Sequence, residues 1–391
     1  MKKLIFGYGA TGKSVESYFQ KNNIEYLIYD DDKKIEIQND IRFDESKFQE
    51  IDEVIISPGI KPTHELLKNI NKKELNVLTD IDLFNNAYNG KIIGVTGTNG
   101  KTSFVELLTG FLNSEGIKSI AVGNVGKSPL EVIENNYEYV VMELSSFQLY
   151  YLNNIDLSIG ILLNIHEDHL DWHTNYQDYV ESKIRIKEFI NTSTNSVSNF
   201  FGSTEARTNN LDIKYEFNNN TQFFDETVNI FFQVVKRLGL SIEASIEYIK
   251  NTSNLEHRFE LVSKFNDITF INDSKSTNFN SVSMATTKAD NIVLIMHGLT
   301  KKISSKDLNI SKNVKTIILP KDMDVDLRDI PVKTIELDSI FDLESILNNI
   351  IIPGDTILFS CGGASFNDFI NYEARGKFFK KVVSNIRKNY G

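Results

Sequence analysis

The sequence predicts an α/β protein of three consecutive parts, because one pattern starts afresh three times: a short apolar strand, a glycine-rich turn, then a helix. The first start is Lys3–Phe6, which runs into Gly7-Tyr8-Gly9-Ala10-Thr11-Gly12 and a helical stretch to Asn22. The second is Lys91–Val95, followed by a glycine loop and a helix from Lys101 to Ser114. The third comes after His257-Arg258, where strands at Thr269–Ile271, Ile292–Met296, Thr316–Leu319 and Thr356–Phe359 alternate with helical stretches. Strands separated by helices pair in parallel, since each crossover returns the chain to the same end of the sheet. A length of 391 residues suits two or three domains at about 150 residues each. Breaks near residues 88 and 255 divide the chain into 1–88, 89–254 and 255–391.

The remaining elements fill in this frame. Tyr26–Tyr29 is a strand ending at Asp30, and Glu53–Ile56 a strand ending in Ser57-Pro58-Gly59. Tyr139–Met142 and Ile159–Leu163 extend the second part, with helices expected over Tyr176–Phe189 and Asp225–Leu238. Asn191–Asn220 is rich in Asn, Ser and Thr and reads as irregular. Composition narrows the class. A chain 41% hydrophobic and 24% charged can bury real cores. A net charge of −11 argues against a nucleic-acid surface, which recruits basic patches. The single cysteine, Cys361, excludes an intrachain disulfide framework and a four-cysteine zinc site. No apolar run approaches the roughly 20 residues of a membrane span. The N-terminal run Leu4–Phe6 stops at Gly7, too short for a signal peptide. A soluble, cytoplasmic protein is expected.

The strongest chemical signal is Gly94-Val95-Thr96-Gly97-Thr98-Asn99-Gly100-Lys101-Thr102. A strand precedes it and a helix follows, so loop and helix N–H groups can surround a β-phosphate. Lys101 would then meet the β- and γ-phosphates, and the Thr102 hydroxyl would ligate Mg²⁺. A glycine turn that ends by chance in Gly-Lys-Thr is the alternative. Gly7-x-Gly9-x-x-Gly12, with Asp30 eighteen residues beyond, has dinucleotide-fingerprint spacing. NAD, another nucleotide-type diphosphate and a plain structural turn all remain open for it.

Two further clusters carry ligand-capable groups. Glu143 ends the strand Tyr139–Met142, and strand carboxyl ends face the ligand crevice of open α/β sheets. Asn164-Ile165-His166-Glu167-Asp168-His169-Leu170-Asp171-Trp172-His173 follows the next strand. Its carboxylates favour a hard ion, so Mg²⁺ with one imidazole ligand fits better than zinc. His166 and His173 are otherwise ordinary surface histidines. Lys183, on the helix after this segment, shows nothing special by spacing alone.

Taken together, GYGATG, SPGI, GVTGTNGKTS, GNVGKSPL, ELSSFQL, NIHEDHLDWH with ESKIRI, HRFE, INDSKSTN and ASFNDFINYEARG resemble the Mur ligase family across nearly the whole chain. ELSSFQL and the last segment resemble its D-glutamate-adding branch. The resemblance implies a Rossmann-like N-terminal domain for a UDP-linked substrate, a central P-loop ATPase-type parallel sheet for MgATP, and a Rossmann-like C-terminal domain for D-glutamate. It implies an ATP-dependent amide ligation in peptidoglycan precursor synthesis. In it the carboxylate of UDP-N-acetylmuramoyl-L-alanine becomes an acyl phosphate, which the amine of D-glutamate attacks. Carried over residue by residue, Gly97, Thr98, Asn99, Gly100, Lys101, Thr102, Ser103, Asn229, Arg258, Asp273 and Lys275 would bind ATP. Gly9, Ala10, Thr11, Gly59, Asn124, Ser145 and Gln148 would bind the UDP substrate. Thr277, Lys301, Ser365, Phe366 and Tyr372 would bind D-glutamate. Thr102, Glu143, His169 and Lys183 would hold metal, with Lys183 carrying a CO₂-derived carbamate, and Lys101, His169 and Lys183 would be catalytic.

Within this frame Gly362-Gly363-Ala364-Ser365 is expected to lead straight into a helix whose N-terminus clamps a glutamate carboxylate. The chain departs from the family pattern at Asp31-Asp32, where a Thr-Arg pair is common, and at Met296-His297-Gly298-Leu299-Thr300-Lys301, where a Gly-Gly-Asp-type loop is usual. A monomer is expected. Rival readings are a nicotinamide dehydrogenase, a nucleotide-binding switch without chemistry, and a sister Mur ligase or folylpolyglutamate-type ligase using another amino acid.

Overall fold

A computed structural model of the chain describes residues 1–124, 126–191, 199–202, 225–252, 254–300 and 308–389. The described strands form three sheets. The first is fully parallel in the order β2-β1-β3-β4, from β1 (Lys2–Phe6), β2 (Tyr26–Tyr29), β3 (Ile51–Ile56) and β4 (Asn76–Leu78). The second is also parallel, in the order β6-β7-β5-β8-β9, from β5 (Lys91–Thr96), β6 (Ser119–Gly123), β7 (Tyr139–Glu143), β8 (Ile159–Leu162) and β9 (Phe200–Gly202). The third runs β10-β11-β15-β12-β13-β14, from β10 (Glu260–Phe265), β11 (Ile268–Asp273), β12 (Ile292–His297), β13 (Val314–Pro320), β14 (Lys333–Leu337) and β15 (Thr356–Gly362). Only its edge pair β10–β11 is antiparallel.

Both faces of the central strands are covered, which is why they read as unbroken apolar runs rather than as alternations. In β12, Val293 and Ile295 join a core with Phe270, Ile357 and Phe359, while Ile292, Leu294 and Met296 join Ile271, Ile317 and Leu358 on the other face. The chain divides into two compact units. One takes Met1–Ile165, Trp172 through β9, and Asp225–Ser245; the other takes His166–Asp171 and the chain from Ile246 onward. The first unit thus contains the first two sheets, and a single cluster of buried side chains runs from Ile5 and Phe19 through Phe84 and Ile92 to Leu157 and Phe189.

Four local expectations are corrected. Residues 176–189 are not one helix: an α-helix Tyr176–Ile184 tightens into a 3₁₀ turn Arg185–Phe189. Within the stretch expected to be irregular, Phe200–Gly202 pairs with β8 as an edge strand; residues 192–198 and 203–220 of it lie outside the described residues. Short or half-exposed strands (β4, β6, β9, β10 and β14) carry too little apolar periodicity to be read from sequence. The segment after β15 is not a helix start. Helix Tyr372–Asn389 begins only after an irregular loop, and Asn371 accepts from the Ala374 N–H at its first turn. The loop is held open because Gly362 has φ +77° and Gly363 packs so closely on Gly298 that a Cβ would sit 2.5 Å from the Gly298 carbonyl carbon.

Candidate active site

In the first unit, β5 ends where the loop Gly97–Gly100 turns into the helix Lys101–Ser114. Gly97 and Gly100 take φ of +153° and +84°, which side chains oppose. Gly100 caps the helix without a side-chain bond, and the N-terminus of a helix favours an anion. Asn164, just past β8, fixes the loop: its carbonyl accepts from Thr98 N–H at 2.9 Å and its Oδ1 accepts from Asn99 N–H at 2.9 Å. The Thr98 and Tyr179 hydroxyls meet at 2.7 Å.

Positive charge converges on this loop. Lys101 Nζ donates to the Gly97 carbonyl at 2.8 Å and to the Thr98 carbonyl at 3.1 Å. Lys183, only 2% exposed, donates to the same Gly97 carbonyl at 2.8 Å. Two ammonium groups on one oxygen lie no more than twice that distance apart. Such like charges repel, so the arrangement suits a highly charged anion. Burial is also inconsistent with Lys183 being a solvated helix charge.

Beside the lysines sits a buried carboxylate. Thr102 Oγ1 donates to Glu143 Oε2 at 2.7 Å, and Asn124 Nδ2 donates to Glu143 Oε1 at 3.0 Å. Thr102 and Glu143 are buried and Asn124 is exposed; a hydroxyl, a carboxylate and an amide meeting here offer hard oxygen donors, the set that fits Mg²⁺. Ser103 is buried one residue on. Ser145 and Gln148 bond each other as a capping box on helix Ser146–Tyr151, with the Ser145 N–H and hydroxyl both donating to Gln148 Oε1 at 2.9 Å. His173 is no surface histidine: its ring is buried, with Nε2 3.0 Å from Ser146 Oγ and Nδ1 3.3 Å from Asp178 Oδ2.

At the first sheet, Gly9 caps helix Ala10–Lys21, and Gly9 and Ala10 are exposed while Thr11 is half-buried. Gly12 is required there, since a Cβ would lie 2.2 Å from the Gly7 carbonyl oxygen. Asp30, a candidate for a ribose hydroxyl, instead braces the turn: its Oδ2 accepts from Tyr8 N–H at 2.6 Å and its Oδ1 from Asp32 N–H at 2.8 Å. Asp31 accepts from the Tyr29 hydroxyl at 2.9 Å and meets His64 Nε2 at 2.9 Å. Gly59 is exposed, its carbonyl accepting from Trp172 Nε1 at 3.3 Å. Asn229 lies on helix Asp225–Arg237, where Gln233 donates to it at 3.4 Å.

The second unit holds the other candidates. His169, half-exposed, has φ +57°, and its N–H donates to the buried Asp168 carboxylate at 2.8 Å. Asp273 ends β11 and accepts from Ser276 Oγ at 2.6 Å, Ser360 Oγ at 2.7 Å and Phe259 N–H at 3.1 Å. Burial pushes its carboxyl above the usual carboxylate range, against those three donors. Lys275 Nζ stands 4.2 Å from the Tyr372 ring centre, and Arg258 is partly buried. Thr277 is half-buried, Ser365 buried, and Phe366 72% exposed. Lys301 lies outside the described residues.

Sequence reasoning gave no role to Tyr179, and none to Asn164 or Arg375 beyond their places in the segments Asn164–His173 and ASFNDFINYEARG. Arg375 is wholly buried, its guanidinium donating to the Ser274, His297 and Gly363 carbonyls at 2.8–2.9 Å. Its partners are scattered along the chain, so no local pattern announces it.

Comparison with known proteins agrees with this geometry. Residues 95–266 match the Mur ligase middle domain and residues 1–79 the Mur ligase MurD-like N-terminal domain. A UDP-N-acetylmuramoylalanine--D-glutamate ligase of Francisella philomiragia is 30% identical, with 99% of this chain and 97% of that protein covered. Among solved structures, the UDP-N-acetylmuramate-alanine ligase MurC of Thermotoga maritima superposes with a TM-score of 0.55 at 15% identity, covering 98% of this chain and 100% of that one. A MurF ligase of Thermotoga maritima, solved with ADP, gives 0.57 at 14% identity, covering 86% and 90%. These two share the fold. With a phosphate loop, two lysines on one loop carbonyl and a curated relative matched end to end, the chain belongs to the Mur ligase family, in its UDP-N-acetylmuramoylalanine--D-glutamate ligase branch.

Proposed function

We propose that the protein joins D-glutamate to UDP-N-acetylmuramoyl-L-alanine at the expense of ATP, making a peptidoglycan precursor. The observation that carries this reading is the sharing of the Gly97 carbonyl by Lys101 and Lys183 beside the Thr102–Glu143 pair. A cationic pocket with a hard-ion carboxylate suits transfer of a γ-phosphoryl group to another anion, a step in which charge must be neutralised. The alanyl carboxylate oxygen bonds to the γ-phosphorus as the bridge to ADP breaks. The D-glutamate amine then bonds to the acyl carbon, phosphate leaves with the carbon–oxygen bond, and the amine gives up a proton.

In this reading Lys101 holds the β- and γ-phosphates, and the loop N–H groups of Gly97–Ser103 surround them. Asn229, Arg258, Asp273 and Lys275 bind the rest of ATP. Thr102, Glu143, His169 and a carbamylated Lys183 would hold Mg²⁺, which when bound would supply charge neutralisation. Lys183 gains a carbamate by addition of its neutral amine to CO₂ with loss of a proton. Compatible with this, the carbamate nitrogen keeps one N–H, so the Gly97 bond can survive while one negative charge shared by two oxygens is added. Gly9, Ala10, Thr11, Gly59, Asn124, Ser145 and Gln148 bind the UDP substrate. Thr277, Lys301, Ser365, Phe366 and Tyr372 bind D-glutamate. The reading takes residues 1–88, 89–254 and 255–391 as the domains for UDP substrate, ATP and D-glutamate, in a cytoplasmic monomer.

The test is phosphate release with a panel of UDP-sugar acceptors and D- or L-amino acids. Release is expected only with UDP-N-acetylmuramoyl-L-alanine and D-glutamate together. Equal turnover with L-glutamate, or with a longer peptide acceptor, would overturn the substrate assignment.

A further inference from the structure

At the carboxyl ends of β12 and β15, two loops are locked together in a way the D-glutamate motif does not explain. Leu299 and Ala364 exchange both backbone N–H···O bonds at 2.8 Å. Beneath them Arg375 donates to the carbonyls of His297 and Gly363, each at 2.9 Å. This anchors the near side of Ser365. The far side is anchored by a side chain. His297 Nε2 lies 2.8 Å from Asp368 Oδ2, and the His297 ring meets Phe369 edge-on at 5.5 Å. Asn367 Nδ2 also donates to Asp368 Oδ2, at 2.9 Å. The Ser365 carbonyl accepts from the N–H groups of both Asp368 and Phe369, at 3.3 and 3.0 Å, closing the corner.

The tautomer follows from the partners. Arg375 Nη1 stands 3.4 Å from His297 Nδ1, and a guanidinium only donates. Both Nη1 N–H groups already serve the His297 and Gly363 carbonyls, and Asn367 Nδ2 stands 3.5 Å from His297 Nε2, but the 2.8 Å approach of Nε2 to the Asp368 carboxylate is much the shorter contact, so the ring proton is placed on Nε2, which donates to Asp368. A second proton would have to sit against the Arg375 guanidinium. Burial is the main influence holding His297 below the ordinary histidine range; Arg375 adds to it, and Asp368 and Asp322 oppose it. The ring is fully buried, whereas Asp368 reaches solvent. The pair thus ties an exposed turn to the rigid end of a central strand.

We propose that His297 and Asp368 are positioning residues for the amino-acid substrate, fixing the Ser365–Phe366 corner through one neutral, Nε2-protonated imidazole. This rests on the assignment of D-glutamate to that corner. His297 touches no reacting atom; it sets where Ser365 and Phe366 stand. Losing a hydrogen bond to a charged group in such a role is felt in the binding of one substrate and not in the others.

The experiment measures KM separately for D-glutamate, ATP and the UDP substrate in wild type, His297→Ala, His297→Gln and Asp368→Ala. His297→Ala and Asp368→Ala should each raise the D-glutamate KM by roughly tenfold or more, leaving the other two KM values within about twofold. His297→Gln, whose amide can donate to Asp368, should recover most of the loss. In wild type the D-glutamate KM should rise in acid as His297 gains its second proton, and this rise should vanish in His297→Gln. Asp368 is exposed, so its alanine variant keeps the test alive if His297→Ala fails to fold. An unchanged D-glutamate KM, or equal rises in all three KM values, overturns the proposal. A wild-type enzyme that does not use D-glutamate would overturn the substrate reading instead.

Discussion

The phosphate loop of the second sheet and the crevice end of the third sheet are both built where parallel strands stop, yet they are assembled differently. The first is nearly one string. Gly97, Thr98, Gly100, Lys101 and Thr102 are consecutive or nearly so, and Asn164, Glu143 and Lys183 arrive from neighbouring elements. The second draws on Ser274, His297, Gly298, Gly363, Asp368 and Arg375, six positions spread over about a hundred residues and joined mostly through backbone carbonyls. A phosphate needs a fixed curl of N–H groups, which only a short string can make. An amino acid needs a shaped corner, which any rigid scaffold can supply.

The sharpest way to break the comparison is Lys101→Ala. The variant should lose phosphate release by about a hundredfold or more, because the transferring group loses its point charge in the transition state. D-glutamate KM is beside the point here. Phosphate release near the wild-type rate would mean that the string is structural.

Lys183→Ala comes next. If Lys183 carries the proposed metal-ligating carbamate, its loss should nearly abolish acyl-phosphate formation, detected by trapping with hydroxylamine. A short carboxylate such as acetate should partly restore turnover by refilling the cavity with anionic oxygen, while a small amine should not. Rescue by the amine alone would assign the role to the ammonium that donates to Gly97.

These cases show what the sequence makes legible. Glycines, a lysine and a threonine at fixed spacing declare the loop in the sequence, and the structure gives Gly97 and Gly100 the positive φ that only glycine takes easily; β1, β2, β5, β7, β12 and β15 announce themselves as apolar runs. Arg375 does not. Nothing near residue 375 signals that three carbonyls from distant segments will turn toward it. The misplaced helix start at Ser365 has the same origin: Gly362-Gly363 reads as a turn from strand straight into helix, but Gly363 packs closely on Gly298 and the helix begins only at Tyr372. His173 was read as a surface residue because its partners, Ser146 and Asp178, lie on two other elements.

Arg375→Met tests whether the third-sheet crevice is as rigid as its bonds suggest. Methionine keeps much of the volume but leaves the Ser274, His297 and Gly363 carbonyls without their donor. Unsatisfied buried groups cost about 1–3 kcal/mol each, and shared relaxation brings the total to about 3–5 kcal/mol. Chemical denaturation of the full chain should show the loss. A variant as stable as wild type would mean that water replaces the guanidinium.

The smallest effect is expected outside both crevices, at Asp80, and it shows what the hydroxyl and amide partners of Glu143 contribute. Asp80 opens helix Asp80–Ala87, is buried, and has an Oδ1 with no hydrogen-bond partner among the described residues. Burial is the main influence raising its carboxyl to about 6; backbone N–H groups of Asp80 and Ile81 oppose the rise, and the Asp82 charge adds to it. The folded protein therefore holds this proton up to higher pH than the unfolded chain, whose aspartates titrate near 4. Between about pH 4 and 6 the folded state binds more protons, so this group's contribution to stability is fully present below that window and is lost as pH rises through it. Asp80→Asn carries no such charge. Relative to wild type it should be equally stable near pH 4 and more stable at pH 7, by about 1–3 kcal/mol for a shift of roughly two pKa units. The measurement is the difference between the two proteins in urea at several pH values, which cancels every titration they share. A constant difference across the window, or an asparagine variant that is weaker at pH 7, would show that the buried carboxylate finds a partner, as Glu143 does in Thr102 and Asn124.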